Sequence, residues 1–158
     1  MQLTKNFSYE ELIASPTAKR LGIDNSPSKA ARENLEMLAK TILQPIRNAF
    51  KHPIVVTSGY RCPRLNSAVH GASYSDHKYG NAADIRTQSD LPSDNKKLWQ
   101  CVVKMWKAGQ LPMLKQCINE YGFDWVHVSF QDGRTSKLGE FLDIKYVNGK
   151  SVSVKSKI

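Results

Sequence analysis

A chain of 158 residues with 41% hydrophobic content fits one soluble domain with a buried core. No stretch approaches the roughly 20 apolar residues of a membrane span, which excludes a helical membrane protein. The net charge of +9 would suit polyanions such as nucleic acid, anionic lipid or anionic wall polymers. The lysines are scattered, however, and no basic stretch is interleaved with aromatics. The charge therefore reads as a solvated surface, with no dedicated nucleic-acid site and no reason to expect more than a monomer.

The start of the chain, MQLTKNFSYEEL, has neither an apolar core segment nor a cleavage pattern, so no signal peptide is read there. Ser8 and Glu11 form a capping box that opens a short helix, YEELIAS. Ser26 before Pro27 reads as the cap of a longer helix, with proline at its first position. Ala31, Leu35, Leu38, Ile42 and Ile46 then recur at three- and four-residue steps, giving one apolar face; Pro45 should kink or end the helix. Ile54 to Thr57 is short, β-branched and bounded by Pro53 and Gly59, hence a buried strand.

A short helix is expected from Pro63 to Val69, a loop over 71–78, and a strand from Ala82 to Ile85. Ser93 can cap a helix to about Ala108, with Leu98, Trp99, Val102, Val103 and Trp106 on its inner side. Leu114 to Glu120 reads as a strand, turned at Tyr121-Gly122 into a second one. In that second strand Trp125, His127 and Ser129 share one face and Val126 and Val128 the other. Asn148-Gly149 between β-formers is a hairpin signal. Cys62, Cys101 and Cys117 are odd in number and widely spaced, which fits a reducing compartment; with no C-x-x-C, a thiolate zinc site is not expected. All three are read as small core hydrophobes. There is no repeat and no linker, so residues 1–158 form a single domain with its motifs within about 27–130.

The chemistry gathers in two pieces. SDHKYGNAAD, residues 75–84, carries His77 and Asp84; DWVHVS, residues 124–129, carries Asp124 and His127. A catalytic zinc takes three protein ligands from His and Asp/Glu and keeps a fourth position for water. His77, Asp84 and His127 would complete such a set, and the charge left at the metal would acidify that water. Asp124 is then free to take its proton. Any one of these residues alone would more often be a solvated or hydrogen-bonded side chain.

The pattern SGYR-x-P-x-LN at 58–66, S-x-H-x-x-G-x-A-x-D at 75–84 and D-W-x-H at 124–127 resembles the zinc D-alanyl-D-alanine carboxypeptidase family. That family includes D-Ala-D-Ala dipeptidases and phage endolysins, some of them L-alanyl-D-glutamate endopeptidases, and shares a fold with the hedgehog signalling domain. The compact phage-encoded members are the most similar. The resemblance implies an α+β domain, an antiparallel sheet carrying the zinc with helices packed on one side. It implies His77, Asp84 and His127 as ligands and Asp124 as general base, which would later hand the proton to the leaving amine. Arg61 would lie over the scissile carbonyl; otherwise it would pair with a surface acid. Ser75 and Tyr60 would touch substrate. Gln116 and Glu120 are candidates to orient the zinc histidines.

The function implied is zinc-dependent hydrolysis of amide bonds in peptidoglycan stem peptides by a zinc-activated water. The protein would be made in the cytoplasm and act at the cell wall after release, or be carried there in a particle. The alternative is a zinc-stabilised wall-binding module without catalysis.

Overall fold

The computed structural model describes all 158 residues. The chain begins with α1 (Tyr9–Ile13) and α2 (Pro16–Leu21), capped by Ser8 and Ser15, whose hydroxyls accept the otherwise orphaned amides of Glu11 and Ala18. A long helical rod follows. It consists of α3 (Lys29–Leu38), a π-helical turn (Ala39–Leu43) and α4 (Gln44–Phe50). The cap of α3 is Ser28, not Ser26, because the Ser28 hydroxyl is the one that reaches a free amide, at Ala31. The widened turn stands immediately before Pro45. Proline has no N–H and crowds the carbonyl four residues back, so the rod relaxes into one looser turn rather than stopping there.

The remaining elements are β1 (Ile54–Ser58), α5 (Pro63–Ala68), a 3-10 turn (Asp76–Tyr79), β2 (Ala82–Thr87), α6 (Pro92–Lys107), β3 (Leu114–Glu120), β4 (Trp125–Phe130), β5 (Glu140–Val147) and β6 (Lys150–Lys155). Proline at the first position opens α6, and Ser93 lies inside the helix rather than at its cap. The six strands lie in the order β1-β2-β4-β3-β5-β6. Every neighbouring pair is antiparallel except β3 and β5, which run parallel. The chain between those two runs out along β4 and returns by a loop, 131–139, to the start of β5.

One face of the sheet is apolar. Ala83, Ile85, Cys117, Val126 and Val128 are buried there, against Leu35, Leu38, Ile42, Leu43 and Ile46 of the rod and Leu98 and Val102 of α6. Each fully buried Leu, Ile or Val contributes about 1.5–3 kcal/mol relative to exposure, so this layer carries the fold. The same alternation turns Asp84, His127 and Ile118 to the opposite face, where Asp84 stands across from His127 and Ile118 across from His127 on its other side. The polar chemistry is built on that second face. The Asn148-Gly149 turn has both residues at positive φ, as a two-residue hairpin of matching twist requires, and joins β5 to β6. No helix is long and apolar enough to cross a membrane.

Candidate metal centre

Three elements meet at the site. Asp84 comes from the middle of β2, His127 from the middle of β4, and His77 from the 3-10 turn that precedes β2. Gly80 closes that turn at φ +77; a Cβ there would come within 2.4 Å of the Ala31 carbonyl oxygen. Glycine thus lets the turn rest directly on α3 and aims His77 back over the sheet.

The donor atoms form a small triangle. His77 Nε2 is 3.2 Å from Asp84 Oδ1 and 3.3 Å from His127 Nδ1, and His127 Nδ1 is 2.9 Å from Asp84 Oδ1. A tetrahedral metal with bonds of about 2.0–2.1 Å has ligand–ligand edges of about 3.3–3.4 Å. The triangle therefore has the size a small divalent cation needs. All three residues are buried.

The protonation pattern agrees. His77 Nδ1 lies 2.6 Å from the Gly59 carbonyl, which can only accept, so Nδ1 carries the hydrogen and Nε2 presents its lone pair to the triangle. Burial pushes the His77 imidazole toward its neutral form, with Asp84 pulling the other way. Burial alone would raise the Asp84 carboxyl; the imidazoles of His77 and His127 outweigh it and hold the acid well below the usual carboxylate range. The His77 lone pair and the Asp84 charge facing one another in a buried place are unfavourable unless a cation or a proton joins them. Two imidazoles and one carboxylate are the ligand chemistry of zinc.

The surrounding residues orient these three. Arg61 donates from Nη2 to Asp84 Oδ2 at 3.2 Å, from Nε to Ser58 Oγ at 3.0 Å and from Nη1 to Asn66 Oδ1 at 3.4 Å. It is held on the back of the ligand carboxylate, leaving Oδ1 for the triangle. The acid it pairs with is thus the buried Asp84 and not a surface residue. Asn66 is itself buried and donates to the Ala72 carbonyl, closing the loop below Arg61. Gly59, the acceptor for His77, has no room for a side chain: a Cβ would stand 2.1 Å from the Leu12 carbonyl oxygen.

Tyr60 is 6% exposed and belongs to the apolar core. Ser75 is half-buried just ahead of the 3-10 turn. Gln116 donates to Glu140, not to a histidine. Glu120 bonds neither imidazole. The roles expected of these two as histidine partners fall to the Gly59 carbonyl for His77, while Arg61 serves Asp84.

Asp124 lies in the turn before β4, exposed, in an open groove shared with Asp84, Thr57, Arg86, Asp90 and Trp125. That turn is unusual: Tyr121, Gly122 and Phe123 all have positive φ. Non-glycine residues hold that conformation only when the surroundings impose it. Here Asn95 of α6, fully buried, donates to the carbonyls of both Phe123 and Asp124 and accepts the Thr87 amide. The Asn119 side chain accepts the Phe123 amide. Sequence reading did not find Asn95; an asparagine among apolar helix positions was its only signal.

Two comparisons bear on this arrangement. Residues 5–129 match the peptidase M15 family. The zinc D-Ala-D-Ala carboxypeptidase of Streptomyces albus G is 40% identical over 85 residues, which are 51% of this chain and 31% of that protein. The chain therefore spans less than a third of that relative's length.

Proposed function

The chain belongs to the peptidase M15 family, and from that premise we propose a zinc-dependent metallopeptidase that hydrolyses amide bonds in peptidoglycan stem peptides. The observation that carries this reading is the buried His77–Asp84–His127 triangle, sized for zinc and opening beside an unpaired acid. The carboxypeptidase likeness supports the substrate class.

His77, Asp84 and His127 would hold the zinc. Bound there, it would polarise the scissile carbonyl and acidify a water molecule. Asp124 would take a proton from the attacking water as the water oxygen bonds to the carbonyl carbon. The Asn95 clamp on the Asp124 backbone keeps the base at a fixed distance from the strand that bears His127. Arg61 keeps Asp84 in its binding orientation and leaves positive charge next to the reacting centre. Ser75, at the edge of the site, is in this reading a substrate contact. A phage-type route, with release after synthesis, would bring the protein to the wall.

The test uses the zinc-loaded protein, purified muropeptides and mass spectrometry of the products. Cleavage should require zinc and stop with chelator. Asp124→Asn should retain stoichiometric zinc and lose about 10²–10⁴-fold in kcat. Zinc bound without any cleavage would instead indicate a wall-binding module, and an Asp124→Asn protein cleaving at the wild-type rate would remove Asp124 from the mechanism.

A further inference from the structure

Glu120 is an acid for which the reading above has no task. It is the last residue of β3, and its backbone partner is Trp125 of β4. The next pair along the same face is Ile118 with His127. Glu120 therefore shares a face with the metal triangle and stands diagonally from His127. Diagonal neighbours on one face of an antiparallel pair are about 7–8 Å apart at the backbone, within reach of a long side chain.

The charged groups that act on it belong to the site. The carboxyl is half-buried and has no hydrogen bond and no ion pair; the charged groups acting on it are His127, Asp84 and Arg61. Burial pushes it up to about 7, with His127 and Arg61 opposing and Asp84 adding to the rise. A structural carboxylate on a sheet would ordinarily be solvated or paired with a lysine. Lys115, the buried lysine of the same strand, is bound to Asp76 instead. An acid without a partner, partly withdrawn from water and on the face that bears the triangle, has a substrate group as its natural counterpart.

We propose that Glu120 is the second catalytic acid of this site, the group that delivers a proton to the departing amine, while Asp124 acts on the water. The assignment rests on the peptidase reading above. The water oxygen bonds to the carbonyl carbon as Asp124 takes one water proton. The C–N bond then breaks, and the electron pair left on nitrogen takes the proton of the Glu120 carboxyl. One water is consumed; an acid and an amine leave. Asp124 returns its proton to solvent and Glu120 regains one from solvent. Two carboxyl groups in unlike environments, Asp124 exposed in the groove and Glu120 recessed beside His127, are suited to opposite tasks.

A leaving-group experiment tests this. An amine anion is too basic to depart without a proton, whereas a thiolate departs unaided. Wild type, Glu120→Gln and Asp124→Asn, all zinc-loaded, are compared on an acyl peptide and on its thioester counterpart. Glu120→Gln should lose about 10²–10⁴-fold on the peptide and less than about tenfold on the thioester, whereas Asp124→Asn should lose heavily on both. Glu120→Asp, which restores an acid one methylene short, should recover part of the peptide rate. Should Glu120→Gln cleave the peptide at the wild-type rate, or fall equally on both substrates, Glu120 is not the proton donor. A wild-type protein inert toward both substrates with zinc bound would overturn the peptidase reading and this assignment with it; an active wild type confines any failure to Glu120.

Discussion

Arg61 directs its fork at three acceptors, Asp84, Ser58 and Asn66, so its contribution is geometric as well as electrostatic. Lysine would keep the charge but offer a single ammonium, which cannot hold all three. Arg61→Lys should therefore weaken zinc binding by about 10–100-fold, the usual effect of losing a residue that orients a ligand. Competition against a chromophoric chelator measures it, and an unchanged affinity would mean that β2 alone orients Asp84. At this scale the ligands were legible because residue type and spacing declare them: a histidine and an aspartate seven positions apart, then Asp-x-x-His. The aim of Arg61 was not legible. Its partner lies 23 residues away, and the contact exists only once β1 and β2 pair with Ser58 opposite Asp84. The burial of Tyr60 was not legible either, because its place in a motif says nothing of which way a ring at a tight corner turns.

The turn that carries His77 is fastened by an ionic cluster. Asp76, next to the ligand, accepts from Lys115 Nζ at 2.7 and 2.9 Å and from Arg134 Nη2 at 2.9 Å. Arg134 also lies over the Tyr79 ring and pairs with Asp132, so the 131–139 loop is pinned across the turn. Asp76 and Lys115 are both buried, and removing the lysine leaves the Asp76 carboxylate with Arg134 as its one remaining cation. Lys115→Met should therefore destabilise the fold by about 1.5–3 kcal/mol in urea unfolding, the range for losing hydrogen bonds to a charged group. Asp76→Asn in the same chain should return part of that, because the under-compensated carboxylate is gone while Arg134 keeps Asp132; a double variant as unstable as the single one would show that packing, not charge, is at stake. Strand alternation and helix periodicity made most elements legible, including the face of β4 that carries His127. The parallel pairing of β5 with β3 was not, since a hairpin signal fixes a strand's partner on one side only. Nor was the Lys115–Asp76 pair, whose two residues lie 39 positions apart.

The metal and the core do different work for the whole molecule. The apolar cluster of 27 buried residues joins the rod, α6 and the back of the sheet without involving the triangle, so the fold has its own support when the site is empty. Zinc would add a tie between β2, β4 and the turn before β2, and it binds the native state only, because the three donors are assembled nowhere else. At a free zinc concentration 100 times the dissociation constant, that linkage contributes about 2.7 kcal/mol. For a chain of this length it corresponds to a rise in Tm of about 5–11 °C. Calorimetry with and without chelator should therefore show two folded proteins of different stability, not a folded and an unfolded one. Asp84→Asn should melt at one temperature whether or not zinc is present. If the chelated wild type were unfolded at 25 °C, the core would be insufficient alone, and the triangle would be a structural staple. If it stays folded and melts lower, the zinc adds to a fold that already stands, and chelation would remove the metal while leaving the sheet that positions Asp124 and Glu120 intact.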